Sequence, residues 1–131
     1  MTKARFLGIW LDHTNAHLIE YSSDVMTTQF LHSKFTQQDR EEGARKSEHL
    51  MHNKEQHEQA AFYKLLGESI KKYEEVILFG PTDAKVELLN YLRRDHLFEK
   101  IRIDLLPSDK LTENQQHAFV KKHFLKRIFQ S

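Results

Sequence analysis

The stretch that organises this chain is EEVILFGPTDAKVELLNYL, residues 74–92. It opens with a continuous apolar run of the kind found in strands that are covered on both faces of a sheet. Gly80 and Pro81 then mark a turn, and the apolar residues that follow recur at helical spacing. The stretch therefore predicts a buried strand, a tight turn and a helix. We expect that helix to direct these apolar side chains inward: Val86, Leu88, Leu89, Leu92 and Leu97.

The first third of the chain is rich in strand-forming residues. Three such segments, at residues 5–12, 16–22 and 25–35, are separated by short turns at 13–15 and 22–24. β-Branched and aromatic residues recur in them, which favours extended structure. Consecutive strands joined by short turns pair antiparallel, so this part predicts a three-strand antiparallel meander.

A polar segment separates the meander from the stretch at 74–92. Residues 36–57 mix acidic and basic side chains and contain few aliphatic ones, which predicts a mobile loop or an exposed, poorly packed start of a helix. From Glu58 the apolar residues recur every three to four positions, so a helix is expected from there to about Tyr73. Its apolar stripe consists of Phe62, Leu65, Leu66, Ser69, Ile70 and Tyr73.

The rest of the chain repeats the pattern of strand and helix. Residues 100–107, KIRIDLLP, indicate a strand that ends at Pro107. Thr112 and Gln115 form a capping-box pair that opens a helix through about Phe129. The apolar side of that helix is predicted to consist of Phe119, Val120, Phe124, Ile128 and Phe129.

The predicted order of elements is βββαβαβα. Three antiparallel strands followed by two strand–helix crossovers predict an α/β fold with a five-strand mixed sheet and helices packed on it. This is the order of an RNase H-like fold. Because no repeat, linker or low-complexity segment divides residues 1–131, we expect a single domain with a mobile polar loop at about 36–57.

Composition narrows the class of protein. Of the 131 residues, 39% are hydrophobic and 30% are charged, as in a soluble globular domain with a real core. The net charge of +1 excludes a global basic field, so nucleic acid could bind only at a local patch. The chain has no cysteine, which excludes disulfides and thiolate chemistry and is consistent with a cytoplasmic protein. No apolar run approaches the ~20 residues of a membrane span, so no membrane partner is expected.

The Gly-Pro turn at the end of the buried run is a candidate anion site. Free N–H groups at a helix start attract anions, Thr82 can cap the helix, and Lys85 can add a positive charge. Yet the turn has neither a P-loop nor the three glycines of a dinucleotide fingerprint, and Asp83 would repel phosphate. A structural turn is therefore favoured over an anion site at Gly80, Thr82 and Lys85, and no nucleotide or other cofactor is expected.

Asp12, at the end of the first predicted strand, allows a second hypothesis, a nuclease. RNase H-like nucleases hold two metal ions with several carboxylates, and Asp104 or Glu58 could join Asp12. The fourth strand, VILF, offers no acidic residue, and Asp12 beside His13 and Asn15 has the composition of a turn. We expect a turn residue rather than a catalytic metal ligand.

Nine histidines are unusual for 131 residues, and three of them, His49, His52 and His57, lie in one polar stretch. On a helix, His49 and His52 would be neighbours at a spacing that can bind zinc or nickel. His57 would lie well around the helix, and neither a cysteine nor an H-E-x-x-H motif supports such a site. Solvated histidines are therefore favoured, and no metal is expected.

The densest group of basic residues lies in the last predicted helix. Its members are Lys121, Lys122, Lys126 and Arg127, with Lys110 just upstream. Such a patch can hold an RNA backbone through phosphate contacts and the release of counterions. The alternative is a solvated outer face whose cations lie favourably near a helix C-terminus. The phenylalanines of this helix are expected to face the core, so no stacking platform for bases is predicted.

Three motifs together resemble the middle domain of the archaeal and eukaryotic peptide release factor and Pelota family, including its bacterial stand-alone relatives. They are GIWLDHTNAHLIEY at 8–21, FGPTDAKVELLNYL at 79–92 and LPSDKLTENQQHAFVKKHF at 106–124. The resemblance implies the same fold and a role linked to translation. The Gly-Gly-Gln tripeptide, which acts at the peptidyl-tRNA ester in release factors, is missing from the corresponding segment, where Gly43 is the one glycine. Peptide release is therefore not implied.

From these observations we expect a non-enzymatic, translation-linked binding module. It would contact the ribosome or structured RNA through its basic helix and the loop at 36–57. A metal-dependent nuclease that uses Asp12 is one alternative. A protein–protein adaptor that acts as a homodimer is another, because a shared fold does not by itself imply a shared function.

Overall fold

A computed structural model describes residues 5–22, 25–33 and 48–129, the last range with side chains from residue 56 onward. The strands are β1 (Phe6–Leu11), β2 (Asn15–Glu20), β3 (Thr27–His32), β4 (Glu75–Phe79) and β5 (Arg102–Leu105). The helices are α1 (Glu48–Ile70), α2 (Ala84–Leu92) and α3 (Glu113–Phe129), and a 3₁₀ turn at His96–Phe98 follows α2. None of these helices combines the length and the apolar character that crossing a membrane requires.

The described strands form one mixed sheet in the order β3-β2-β1-β4-β5. β1 pairs antiparallel with β2, and β2 with β3, whereas β4 runs parallel to both β1 and β5. Short turns join the first three strands as antiparallel neighbours, while helical crossovers return β4 and β5 in the parallel sense. The predicted α/β class, with a five-strand mixed sheet in an RNase H-like order, is confirmed.

One face of the sheet is covered by α1 and α2. Alternate residues of β1, Leu7, Ile9 and Leu11, point to this side. They pack in one cluster with Leu66 of α1 and Leu88 of α2, all nearly inaccessible to solvent. The larger apolar core of the described residues therefore lies on the side of α1 and α2.

The opposite face of the sheet is covered by α3. Phe79 of β4 packs in one cluster with Val120 and Phe124, and its ring stacks on Phe119 with centroids 4.4 Å apart. The helix comes very close to β1, because a Cβ atom on Gly8 would lie 2.4 Å from Cγ2 of Val120. The absence of a side chain at Gly8 therefore decides how near α3 can lie to the sheet.

Helix α3 begins with the predicted capping box. Thr112 Oγ1 accepts a hydrogen bond from the backbone N–H of Gln115 at 3.2 Å, and Gln115 Oε1 accepts one from the backbone N–H of Thr112 at 2.9 Å. Side chains thus satisfy two amides that have no partner within the helix. This confirms a prediction that depends on local sequence only.

Helix α1 begins at Glu48 rather than at Glu58, where its apolar stripe starts. Residues 48–57 contain Glu, Leu, Met, Lys and Gln, which favour a helix even without an apolar stripe. An amphipathic pattern marks where a helix is packed, so it does not mark where the helix starts. For residues 48–57 the helix alternative therefore replaces the loop, and residues 36–47 lie outside the described ranges.

Several apolar residues that were expected to face the core are exposed instead. Leu97 is 65% exposed because α2 ends at Leu92 and Leu97 belongs to the following 3₁₀ turn. Phe129 is 82% exposed because it lies more than a turn beyond Phe124, the last buried residue of α3. The other members of the set are Leu65, Val86 and Ile128. A helix buries one stripe, so residues at the border of that stripe cannot be assigned from spacing alone.

The turn after β4 requires glycine. Gly80 has a φ angle of 141°, and a Cβ atom there would lie 2.2 Å from the carbonyl oxygen of Leu11. A residue with a side chain would need an unfavourable backbone conformation and also a shift of β1. The close approach brings together the carboxyl ends of the parallel strands β1 and β4.

Candidate functional site

The outer side of α3 carries the basic patch that the sequence predicts. Lys121, Lys122 and Lys126 are exposed on this side, and no side-chain hydrogen bond or ion pair joins them to any residue in the described ranges. We call these three lysines the α3 basic face. Within α3, Glu113 is the only acidic residue against four cations. The α3 basic face is therefore locally positive, although the whole chain is nearly neutral.

The two other predicted RNA-contacting residues differ in their surroundings. Lys110 is exposed in the loop before α3. Arg127 instead donates from Nε to Oε1 of Glu75 at 2.8 Å. Because Glu75 is only 8% exposed, Arg127 is held by a nearly buried carboxylate. The structure thus groups three of the five residues on one face, and RNA contact by any of them stays a prediction.

Glu75 belongs to a network of charged side chains between β4, β5 and α3. Arg102 Nε lies 3.7 Å from Glu75 Oε1 and 3.1 Å from Asp104 Oδ2. Together with Arg127 the network contains two cations and two anions, so it is neutral as a whole. Such compensation allows a carboxylate to stay nearly buried.

His123 lies beside this charged network. Its Nε2 atom is buried and has no hydrogen-bond partner among the described residues, and its ring packs edge-on against Phe124 with centroids 5.0 Å apart. Burial lowers the pKa of His123 below its ordinary value of 6.5, although Glu75 and Asp104 act in the opposite direction. The imidazole is therefore mainly neutral at pH 7.

Glu75, Asp104 and His123 also form the one group of three candidate metal ligands in the described part of the chain. Their ligand atoms all lie within 4.8 Å of one another. Carboxylate and imidazole are groups that zinc accepts. Arg102 and Arg127 already contact the carboxylates, so a cation could bind only if these two side chains moved away.

The sequence prediction missed this network because it placed the fourth strand at VILF. β4 begins at Glu75, so the statement that this strand offers no acidic residue is wrong. The stretch EEVILF did contain a signal, because Glu75 directly precedes the apolar run and β4 extends one residue beyond that run to include it. What the sequence could not show is that Asp104 and His123 lie beside it.

Asp12 has the turn role that was expected from its neighbours. Its Oδ1 atom accepts hydrogen bonds from the backbone N–H groups of Thr14 at 2.9 Å and Asn15 at 2.7 Å, which is an Asx turn. Asp104 lies level with Gly8 across β4, four residues before Asp12 and two strands away. At about 3.3 Å per residue the carboxylates of Asp12 and Asp104 are too far apart to share metal ions. The described residues therefore contain no group of three metal ligands that includes Asp12.

The side chain of Lys85 is hydrogen-bonded to the backbone of the Gly-Pro turn. Lys85 Nζ donates to the carbonyl oxygens of Gly80 at 3.0 Å and Thr82 at 2.8 Å. Thr82 Oγ1 accepts a hydrogen bond from the backbone N–H of Ala84 at 3.2 Å. Two of the three donors of the Lys85 ammonium group are thus used inside the turn. Anion binding at Gly80, Thr82 and Lys85 stays a prediction.

The clustered histidines are only partly described. His57 is exposed on α1. His49 and His52 lie on the same helix, and their side chains are outside the described residues. The expectation that these three histidines are solvated and bind no metal therefore stays a prediction.

A second polar cluster lies beyond the carboxyl end of β1 and was not predicted. Glu87 of α2 lies 2.9 Å from His13 Nε2 and accepts a hydrogen bond from Tyr63 Oη at 3.0 Å. Burial alone would raise the pKa of Glu87, but the hydrogen bonds from His13 and Tyr63 outweigh burial and lower the pKa. The pKa of Tyr63 is raised, first by burial and then by Glu87. Tyr63 therefore stays protonated as a donor, and the cluster joins α1, α2 and the turn after β1.

The similarity of this chain to known proteins lies in its structure and not in its sequence. No protein-family model matches it, and no curated protein sequence matches it. Its structure is similar to Pelota from Archaeoglobus fulgidus, with a TM-score of 0.64 over 97% of this chain. The fold is Pelota-like. The resemblance drawn from the three sequence motifs is therefore confirmed for the fold.

Two further structures share this Pelota-like fold. Pelota from Thermoplasma acidophilum matches 89% of the chain with a TM-score of 0.59 and 13% identity. Dom34 from S. cerevisiae matches 95% of the chain with a TM-score of 0.50 and 12% identity. Identity with the Archaeoglobus fulgidus protein is 8%, so these likenesses establish the fold alone. The Pelota-like chain spans about a third of the length of these proteins, 34%, 32% and 38% respectively.

Proposed function

We propose that this chain is a non-enzymatic, translation-linked module that binds the RNA backbone of the ribosome, or of another structured RNA, through the α3 basic face. The observation that carries the proposal is the exposure of Lys121, Lys122 and Lys126 without partners among the described residues. The Pelota-like fold supports the link to translation, since Dom34 is a translation termination-like factor involved in RNA quality control and interacts with Hbs1.

The chemistry of the α3 basic face fits a phosphate backbone. Lysine ammonium groups bind phosphate oxygens as point charges, and each contact releases condensed counterions from the RNA. Three such contacts should weaken binding roughly 20- to 40-fold between about 50 and 200 mM salt. Phosphate contacts position a protein but carry no sequence information, so this face should bind RNA by shape and charge.

An enzymatic role is not proposed for this chain. The sequence lacks the Gly-Gly-Gln tripeptide, which gives no basis for peptide release. The nuclease alternative rested on Asp12, and the Oδ1 atom of that carboxylate accepts hydrogen bonds from the backbone of its own turn. The described surfaces therefore support a role in binding RNA better than a role in catalysis.

Cosedimentation with ribosomes from the source organism, across a salt series, tests the proposal. We expect binding at low salt that falls steeply as salt rises. Lys122→Glu/Lys126→Glu should abolish it, because phosphates repel the reversed charges. The matched control is Lys64→Glu/Lys100→Glu, which changes two exposed lysines outside α3 and alters the net charge by the same amount.

The two double variants separate a specific face from a general charge effect. If the α3 variant alone loses binding, the α3 basic face is the contact. Equal loss in both variants would mean that only net charge matters and would remove α3 from the proposal. Absence of cosedimentation at low salt would overturn the translation link itself.

A further inference from the structure

Strand β3 lies at an edge of the sheet that the described strands form, and half of its backbone groups have no partner in that sheet. Ser33 donates its backbone N–H to the carbonyl oxygen of Thr14 at 2.7 Å, so odd-numbered residues here turn their N–H and C=O groups toward β2. Backbone groups alternate in direction along an antiparallel pair. Those of Thr28, Phe30 and His32 therefore point away from β2, toward the open edge.

Within residues 25–33, the sequence of this edge strand contains none of the residue types that usually prevent strand pairing. Natural sheets protect edge strands with charged residues, proline or bulges. Residues 25–33, VMTTQFLHS, contain no Lys, Arg, Asp, Glu or Pro. Phe30 is 47% exposed on the side of the sheet that α3 covers, where its ring meets that of His17 with centroids 4.8 Å apart. Within the described ranges, no strand pairs with the outer edge of β3.

We propose that β3 pairs antiparallel with β3 of a second copy of this chain, around a two-fold axis at Gln29, to form a continuous ten-strand sheet. In this register, residues whose backbone groups point to the open edge pair with residues of the same kind in the second copy, since Thr28 lies opposite Phe30 of that copy. About eight backbone hydrogen bonds can form over residues 26–32. The proposal is independent of the proposed function and uses a different surface.

A second copy is the occupant that the sequence around this strand favours. In a two-fold pair, β3 of one copy lies beside β3 of the other copy. Charged residues within the strand would therefore lie near residues of the same charge and repel them. None lies in residues 25–33. The nearest charged residues in the sequence are Asp24 and Lys34, five positions before and after Gln29, and both lie outside the described residues. Within residues 25–33, self-pairing centred on Gln29 therefore brings no two like charges together.

Apolar side chains add to this pairing. The two Phe30 rings would lie on the same side of the joined sheet as diagonal neighbours about 7–8 Å apart at the backbone, within reach of aromatic side chains. Each ring would cover Thr28 of the other copy and lose its exposure to water. The helices α3 of both copies would then lie on one side of the sheet, because paired residues point to the same face.

Charge swaps at the axis test the proposal. Gln29 is exposed, and in the dimer the two Gln29 side chains face each other. Gln29→Lys and Gln29→Glu should therefore each be monomers, whereas an equimolar mixture should recover the dimer. Sedimentation equilibrium from about 1 μM to about 1 mM should show the wild type approaching twice its 15.6 kDa mass. Asn90→Lys, at an exposed position of α2, is the matched control and should dimerise like the wild type.

A single introduced cysteine provides a second measurement that does not depend on affinity. The chain has no cysteine, so Gln29→Cys can only cross-link to its own equivalent. Directly opposed residues of this kind have Cα atoms about 4.5 Å apart, within the range that a disulfide spans. We expect rapid symmetric cross-linking of Gln29→Cys and little of Asn90→Cys. A wild type that stays monomeric, a dimer that survives Gln29→Lys, or equal cross-linking of the two cysteine variants would each overturn the proposal.

Discussion

Arg127, in the last turn of α3, donates from Nε to Oε1 of Glu75 at 2.8 Å, and Glu75 is the first residue of β4. The side chain of Glu75 is 10% exposed and that of Arg127 is 39% exposed. The carboxylate therefore loses most of its hydration and depends on the guanidinium for compensation. The basic residues of α3 thus divide into an anchor, Arg127, and the lysines of the α3 basic face.

Removing this anchor should weaken the fold. Arg127→Met leaves Glu75 with Arg102 at 3.7 Å, so we expect a loss of about 1–2 kcal/mol in the free energy of unfolding. That is less than the cost of breaking a fully buried pair, because Arg127 is partly exposed. Urea denaturation measures the change. Lys126→Met is the matched control and should stay within about 0.5 kcal/mol of wild type. Equal stability of the two variants would show that the pair adds nothing net.

Gly80→Ala should be strongly destabilising. The φ angle of 141° is unfavourable for alanine, and the new Cβ would lie 2.2 Å from the carbonyl oxygen of Leu11. Because that oxygen belongs to the backbone of β1, a strand must move, and a loss of about 2 kcal/mol or more is expected. Calorimetric unfolding provides the measurement. Gly67→Ala, within helix α1, is the comparison and should remain within about 1 kcal/mol, since helix propensity offsets its tight contacts. A Gly80→Ala variant as stable as Gly67→Ala would contradict this account of the turn.

Burial of His123 should make stability depend on pH. Since burial lowers the pKa of His123, the folded state binds the proton less readily than the unfolded chain. As the pH falls through the ordinary value of 6.5, His123 binds a proton in the unfolded state but not yet in the folded state. The contribution of neutral His123 to the free energy of unfolding is therefore complete above that value. It decreases as the pH falls below that value and stops decreasing below the pKa of His123 in the folded state.

A pair of variants isolates this titration. His123→Gln should flatten the dependence of unfolding free energy on pH between about pH 7 and pH 5, by at most about 1.4 kcal/mol per pH unit, the limit for one proton. His57→Gln is the control, because His57 is exposed on α1 and has no hydrogen-bond or ion-pair partner among the described residues. Denaturant titrations at a series of pH values measure both slopes. An unchanged slope in His123→Gln would mean that another group controls the acid response.

The phenylalanines of α3 should divide into two classes. Phe124 is fully buried and stacks on Phe6 with ring centroids 5.0 Å apart, so Phe124→Ala should cost about 3–5 kcal/mol. Phe129 is 82% exposed, and Phe129→Ala should change stability by no more than about 0.5 kcal/mol. Thermal unfolding of both variants measures the difference. A large loss in Phe129→Ala would show that this ring is buried in solution.

The elements that the sequence predicted correctly are those whose signals are local. The capping box of Thr112 and Gln115 depends on residues three apart, and both hydrogen bonds form as expected. The Asx turn of Asp12 likewise spans three residues. The start of α1 at Glu48 was less visible because helix propensity without packing leaves no periodic pattern. Border residues such as Leu65 were assigned wrongly because burial depends on what lies opposite them.

The sequence by itself determined the order of the elements, the class of the sheet and the place of the basic residues, because periodicity, turns and charge are properties of neighbouring positions. Only the tertiary structure decided which of those cations is an anchor, since Arg127 and Glu75 lie 52 positions apart. The same holds for His123 beside Asp104 and for Gly8 beneath Val120. Contacts of this kind arise where the sheet brings distant segments together. No local pattern encodes them, because each depends on the packing of a helix over a strand far away in the chain.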